Sequence, residues 1–450
     1  MRTALRVASN LTEPSAPDPA RTFLDRIVFY GTFGLLLAAP LAFGTVEPWS
    51  IFLLEIGAIL LFVAWMWGQV SSGELRISGS PLFAPMAAFA GLAMLQSVTG
   101  RTAYRYLTLR ELQLYCAYGL LCFLVVQCLR KTSQLNLLAF AATALGAGVA
   151  LLALFQGFSS VGKIYWIRAV PDAWIYGPYV NHNHYAGLME LLLPVPLVVS
   201  LGHFVPRPRR ILALTAAALM ATTIFLSGSR GGMLAFAVQM ALLVAFLIRR
   251  RRGRAAALIM GGFLAVVVGL LVWLGGGELT SRMASIRTEA TTEVSGGTRM
   301  AIVHDGLKMF KERPLLGWGL ATFPDVYPKY RSFYTNLFVN EAHNDYLQLL
   351  VEMGILGFAV MLWFLGLTYF HATRKLGSWM SNSNGAIALA AILGCTGILV
   401  HSLVDFNLHV PANAALFYSL CMLAAMEPRF ALLHYRPSMP KSLGSSAMSA

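Results

Sequence analysis

The sequence predicts an all-α, polytopic membrane protein held in the bilayer by about a dozen helices. Three observations predict this. The 450 residues are 57% hydrophobic and only 12% charged, with a mean hydropathy of +0.65. A soluble domain carries about 25% charged residues, so most of this surface must face lipid. Apolar runs long enough to cross a bilayer, roughly 18 residues or more, recur along the chain. The basic residues gather in alternate loops between those runs.

The runs lie at 26–44, 50–68, 81–99, 111–129, 134–157, 185–202, 210–227, 231–248, 255–274, 345–370, 385–405 and 411–427. Four basic clusters, Arg130/Lys131, Arg207/Arg209/Arg210, Arg249 to Arg254 and Arg374/Lys375, then fall on the side of the N-terminus. The positive-inside rule places that side, and both termini, in the cytoplasm. Arg101, Arg105 and Arg110 dissent, falling in an outward loop. That points to a task for the loop or to an error in the third span. The net charge of +14 is read as loop charge meeting anionic headgroups, not as a nucleic-acid surface.

Residues 1–20 and 431–450 are expected to be polar cytoplasmic tails, the first without the ordered regions of a signal peptide. Residues 21–430 then form one membrane domain. Two outward loops are long, Phe158 to His184 and Gly275 to Asn344. The second is expected to be a helical periplasmic insertion at 275–344, with an amphipathic helix at 299–312 behind Thr298 as N-cap. The five cysteines lie in or beside apolar stretches with no metal or disulfide spacing.

Five segments carry possible chemistry, and all fall at the predicted outer face. Ser227-Gly228-Ser229-Arg230-Gly231-Gly232 sets an Arg and flexible glycines at a helix start. Helix N–H groups and a guanidinium both favour an anion there; a tight turn with a snorkelling Arg is the plain alternative. Arg299 sits at a helix N-terminus, where the dipole disfavours it, so an anionic ligand is one explanation and a solvated Arg the other. His343, within Glu341 to Gln348, is the side chain suited to proton transfer near neutral pH, or to simple interfacial hydrogen bonding. Asn181-His182-Asn183-His184 precedes Glu190; the i, i+2 spacing does not put both histidines on one helix face, so no metal is assigned. His401 and Asp405, one turn apart, can pair. Walker A, H-E-x-x-H and D-x-D patterns are absent, which argues against ATP hydrolysis, zinc hydrolysis and nucleotide-sugar transfer.

Ser229-Arg230-Gly231-Gly232, Thr298-Arg299 through Arg313-Pro314-Leu315-Leu316-Gly317-Trp318-Gly319, and His343-Asn344-Asp345-Tyr346-Leu347-Gln348 with Glu352 and Gly354 resemble the motifs of the O-antigen ligase and O-antigen polymerase superfamily. Three motifs in order, with a large loop between the last two, cover about 180–360; the first five spans match only in hydropathy. The resemblance implies an inverting glycosyltransferase of the bacterial inner membrane that uses no metal, nucleotide or other cofactor. A glycan would leave undecaprenyl pyrophosphate for an acceptor hydroxyl in the periplasm, on lipid A–core in ligases or on another lipid-linked glycan in polymerases. It maps catalytic roles onto Arg230 and Arg299, which hold the pyrophosphate, and onto His343, the base. His184, Asn181, Tyr346, Gln348 and Asp405 are the further substrate-binding candidates. The Asn181 to His184 segment resembles a variant found in one branch of the superfamily. Envelope polysaccharide assembly proteins are the expected partners. The competing readings are a transporter of an anionic solute, which twelve spans would suit but an inverted repeat should accompany, and a non-catalytic scaffold.

Overall fold

The computed structural model describes residues 19–73, 75–159, 162–170, 175–250, 253–275, 296–335 and 338–426. The expected tails and residues 276–295 of the second long loop lie outside the described residues. The architecture is helical. The elements are α1 (Pro19–Ala38), α2 (Pro48–Ser71), α3 (Phe83–Val98), α4 (Arg105–Cys128), α5 (Thr132–Ser159), α6 (His182–Leu192), α7 (Pro194–Leu201), α8 (Arg207–Leu226), α9 (Arg230–Arg249), α10 (Gly253–Gly275), α11 (Gly296–Glu312), α12 (Phe323–Val326), α13 (Asp345–Lys375), α14 (Ser383–His401) and α15 (Pro411–Ala425). A small hairpin, Lys163–Ile164 against Arg168–Ala169, projects from the 159–182 connection and is tied down by Arg168, 2.6 Å from Glu47.

Among the described residues, nine helices are long and apolar enough to cross a membrane. Two of the expected runs fall short, Phe83–Val98 and Pro411–Ala425; of α10, only Met260–Leu274 enters that comparison. Sixteen residues of α3 rise only about 24 Å at about 1.5 Å per residue, less than a hydrocarbon core of about 30 Å. The segment His182–Leu201 is enclosed, with 94% of its window buried, while Pro48–Ser71 has 22% buried. The first is therefore the axis of the bundle and the second part of its rim. Helix α8 begins at Arg207 and ends at Leu226, and α9 runs back from Arg230 to Arg249. The arginine clusters and the candidate residues thus occupy opposite ends of the same helices.

Helix α11 meets the expectation of an amphipathic helix but begins three residues earlier than expected, so Thr298 lies inside it and is not its N-cap. Its apolar face, Ile302 and Met309, is buried in a small separate core with Trp318, Phe323, Tyr327, Leu347 and Val351. Asp305, on the same face, is also buried. It accepts Ser332 N (2.8 Å) and Ser332 Oγ (2.9 Å). Burial pushes its carboxyl up, but the Ser332 and Lys308 contacts outweigh that and hold it below the usual range.

The Arg313 to Gly319 motif docks onto a break in α13. Gly354 adopts φ +63° inside the helix, which interrupts the i to i−4 ladder. An unpaired carbonyl at this depth would cost several kcal/mol, so a broken helix is tolerated where other backbone supplies partners. Here Trp318 N and Gly319 N donate to Val351 O and Glu352 O, each at 2.9 Å, while Ile355 N donates to Pro314 O at 2.8 Å. Both Gly317 and Gly354 have positive φ, and a Cβ on either would overlap the opposing backbone, so the glycines permit the exchange. The dissenting basic loop completes this junction. Ala103 N donates to Trp318 O (2.6 Å), and Arg313 donates to Arg101 O (3.0 Å) while lying 4.0 Å over Trp318. The loop meets this junction through its backbone.

Candidate functional site

The site forms where three helix ends meet the Ser402–His409 segment. Helix α14 ends at His401, and the chain turns instead of continuing. Helix α9 starts with Ser229 as its cap, the hydroxyl accepting Gly232 N at 3.1 Å. Gly231 packs so closely on His401 that a Cβ would strike its ring, and the same Cβ would lie 3.1 Å from Val404 Cγ2. Arg230 begins the helix here, exposed. Arg299, from α11, donates to Val404 O at 3.0 Å. The two arginine-bearing segments, separate in sequence, converge on Val404.

Asp405 follows Val404 and is buried. Its Oδ1 lies 3.9 Å from His184 Nε2 and 3.9 Å from His343 Nδ1. Neither nitrogen has a hydrogen-bond partner among the described residues. The Phe406 ring packs edge-on against both imidazoles, with centroids at 4.7 and 5.1 Å. Burial pushes the His343 imidazole down to about 4; Arg299 adds to this and Asp405 opposes it. Burial alone would raise the Asp405 carboxyl, but His184, His343, His401 and Arg299 outweigh it and hold it below its ordinary range. At neutral pH the corner therefore offers a neutral imidazole beside a carboxylate, with guanidinium charge close by. His343 also adopts φ +51°, a conformation that costs a non-glycine residue about 1–3 kcal/mol and clusters at functional positions.

The expected pairing of His401 with Asp405 is corrected. His401 Nδ1 instead meets Glu190 Oε1 at 2.7 Å, both side chains fully buried. Asp405 N still donates to His401 O at 3.1 Å, but the His401 ring is turned to Glu190. His401 Nε2 faces Ser229 Oγ at 3.5 Å, so the pair braces the α9 cap. Sequence reasoning missed this role. The signal was present in a Glu and a His on different apolar helices, since ionisable groups at such depth pair with one another.

The remaining candidates have other partners. The Asn181 side chain caps α6 by accepting Asn183 N at 2.8 Å, which fixes the start of the helix that carries His184. Tyr346 donates to Leu399 O at 2.7 Å. Gln348 is buried, accepts Ala342 N at 2.9 Å and also holds Glu341. It thus fixes the strand of chain leading into His343. Among the described residues, no group of three or more His, Cys, Asp or Glu is placed to hold a metal ion.

A second cluster lies beyond His343. Asp345 accepts Ser402 Oγ (2.5 Å), Leu408 N (3.1 Å) and His409 Nδ1 (2.6 Å). Burial disfavours the His409 imidazolium, but Glu341, Asp345 and Glu352 outweigh it and push it up to about 10. Burial raises the nearby Glu341 carboxyl, with His409 opposing.

No curated protein matches the chain. The family model described as O-antigen ligase matches residues 215–362, the stretch that carries Arg230, Arg299 and His343. That match supports, at the level of the family, a membrane-embedded glycosyltransferase of the O-antigen ligase and polymerase superfamily.

Proposed function

We propose that this protein transfers a glycan from undecaprenyl pyrophosphate to an acceptor hydroxyl on the periplasmic side of a bacterial inner membrane, with inversion at the anomeric carbon and without a metal ion. One observation carries the reading: His343, without a hydrogen-bond partner at Nδ1 among the described residues, lies 3.9 Å from Asp405 in the corner on which the Arg230 and Arg299 segments converge. With its Nδ1–H directed at Asp405, His343 presents Nε2 to the acceptor. It takes the hydroxyl proton as the oxygen attacks the anomeric carbon. The bond from that carbon to the pyrophosphate oxygen breaks, and its electron pair goes to the leaving group. Arg230 and Arg299 are placed to receive that growing charge. An anion bound near Arg299 also offsets one of the charges that keep His343 a weak base, so donor binding strengthens the base where it is needed.

The test is glycan analysis of a strain deleted for this gene and rescued by wild type or by His343→Ala. General-base loss predicts a fall of about 10² to 10⁴-fold in transfer, with lipid-linked donor still bound. Lipid-linked polymer beside bare core identifies a ligase; core bearing a single repeat and no longer chain identifies a polymerase. Normal glycans with His343→Ala would overturn the proposal.

A further inference from the structure

Asp405 faces two imidazoles, and unlike backbones carry them. His184 stands in the first turn of α6. Its carbonyl accepts Asn413 Nδ2 at 3.0 Å, and Asn413 in turn accepts the Tyr179 hydroxyl at 2.8 Å. With the Asn181 cap on the same turn, the Cα of His184 is fixed from both sides. His343 lies instead in the loop before α13, at φ +51°. A side chain held on a packed helix is placed more precisely than one on a loop. His184 is also buried, whereas His343 is the more open of the two.

The carboxylate between them is lightly held. Among the described residues it accepts only Phe406 N, at 2.8 Å on Oδ1. The same Oδ1 lies 3.9 Å from each imidazole nitrogen, beyond hydrogen-bond range. Catalytic contacts of this length tighten as the substrate is bound. A neutral imidazole has one N–H, and the nitrogen that faces a carboxylate is the one that carries it. That assigns Nε2–H to His184 and Nδ1–H to His343. A competitor stands close by. Arg299 is anchored on Val404 O, one residue away, and its charge acts on Asp405. A carboxylate released by His184 would be drawn to that guanidinium. It would then leave His343 without its orienting partner and engage a charge meant for the leaving group.

We propose that His184 is a positioning residue, whose Nε2–H anchors Asp405 from the rigid side so that the carboxylate stays aimed at His343 and does not close on Arg299. The inference rests on the transferase reading, in which it gives His184 a part played through Asp405 and not on the substrate. His184 takes up no proton in this role; it keeps the base and the anion-binding arginine apart.

Two isosteres test this. The amide nitrogen of Gln reaches the place of Nε2, and that of Asn reaches only the place of Nδ1. Full-length protein is added to membranes of the deletion strain, which supply donor and acceptor, and transfer is timed by glycan analysis. His184→Ala and His184→Asn should slow transfer by about tenfold to about a hundredfold, the scale of one hydrogen bond to a charged group. His184→Gln should restore most of the rate. A Gln variant as slow as Ala would mean that the imidazole itself touches substrate or carries a proton, and would overturn the proposal, as would an Asn variant as fast as wild type. The second readout needs no transfer and begins with wild type. Nitrogen-15 NMR of histidine-labelled protein in phosphatidylcholine nanodiscs reports which ring nitrogen bears the proton, with His184→Gln and His343→Gln assigning the two signals. Nε2–H on His184 and Nδ1–H on His343 are expected. His184→Asn should turn His343 into a mixture of tautomers, and adding Arg299→Ala should return it to Nδ1–H. A proton on Nδ1 of His184, or a His343 tautomer indifferent to His184→Asn, would overturn the proposal. Loss of the transferase reading leaves these spectra standing, and loss of the His184 role leaves the His343→Ala test intact.

Discussion

The arginine corner and the carboxylate cluster share one segment, Ser402–His409, and differ in how their polar groups are satisfied. At the carboxylate cluster, Asp345 is filled by three donors at 2.5–3.1 Å. At the arginine corner, Asp405 accepts only Phe406 N, at 2.8 Å, and stands 3.9 Å from two imidazole nitrogens that have no hydrogen-bond partner among the described residues. Buried polar groups are almost always paired, and an exception calls for an explanation. Asp345 is built as a joint that fixes the turn after α14. The corner around Asp405 is built with room for a ligand. The fully buried Glu190–His401 pair stands behind that open corner and makes up for its looseness.

The sharpest way to break this comparison is to remove the brace. Glu190→Ala leaves His401 buried opposite nothing, and breaking such a pair costs about 3–5 kcal/mol. Thermal unfolding in detergent should show the loss. Glu190→Gln keeps a hydrogen-bonding oxygen and should recover most of it. A Glu190→Ala protein as stable as wild type would mean that the pair does not support the corner. Next come the arginines. Arg299→Ala and Arg230→Ala should each reduce transfer by about 10² to 10³-fold, the scale for losing one preorganised donor to developing charge. Lysine should rescue poorly, because the planar fork is lost. Glu341→Gln, in the carboxylate cluster, should leave binding of the lipid-linked donor unchanged. Full activity in the lysine variants would reduce the role of the corner to charge alone.

Much of the fold was legible in the sequence, for a plain physical reason. Lipid demands continuous apolar helices, so spans announce themselves, and each of the twelve apolar runs holds a helix. The two that fall short of a span form helices of 16 and 15 residues. The position of α11 was legible from its apolar spacing, whereas its start at Gly296 was not, because Thr298 read as a cap and lies inside the helix. Arg230, Arg299, His343 and Asp405 were legible as a set because all lie at the same helix ends. What was not legible depends on contacts between distant segments. The Glu190–His401 pair joins residues 211 apart in sequence. Local spacing had joined His401 to Asp405 instead, because it could not show that Glu190 packs against the His401 ring. Tyr346 and Gln348 carried the motif, yet their side chains turn inward to Leu399 and Ala342. The Gly317 and Gly354 contacts likewise became visible only when the loop and the broken helix were seen face to face.

The smallest effect discriminates most finely. Burial and Arg299 hold the His343 imidazole down, to about 4. Its basic form is then present throughout the neutral range. The value of kcat/KM, which reports the free enzyme, should stay level from about pH 8 to about pH 5 and fall only as the pH drops through about 4. An exposed histidine would instead lose activity near its ordinary value of about 6.5. Arg299→Lys, which keeps the charge, should leave that midpoint nearly in place. Arg299→Ala removes a charge that disfavours the imidazolium, so the midpoint should move upward in whatever activity remains. The carboxylate cluster provides the control, since Glu341→Gln should not move it. A midpoint near 6.5 in wild type, or one that ignores Arg299→Ala, would separate His343 from the arginine corner and remove the electrostatic coupling on which the contrast between the two regions depends.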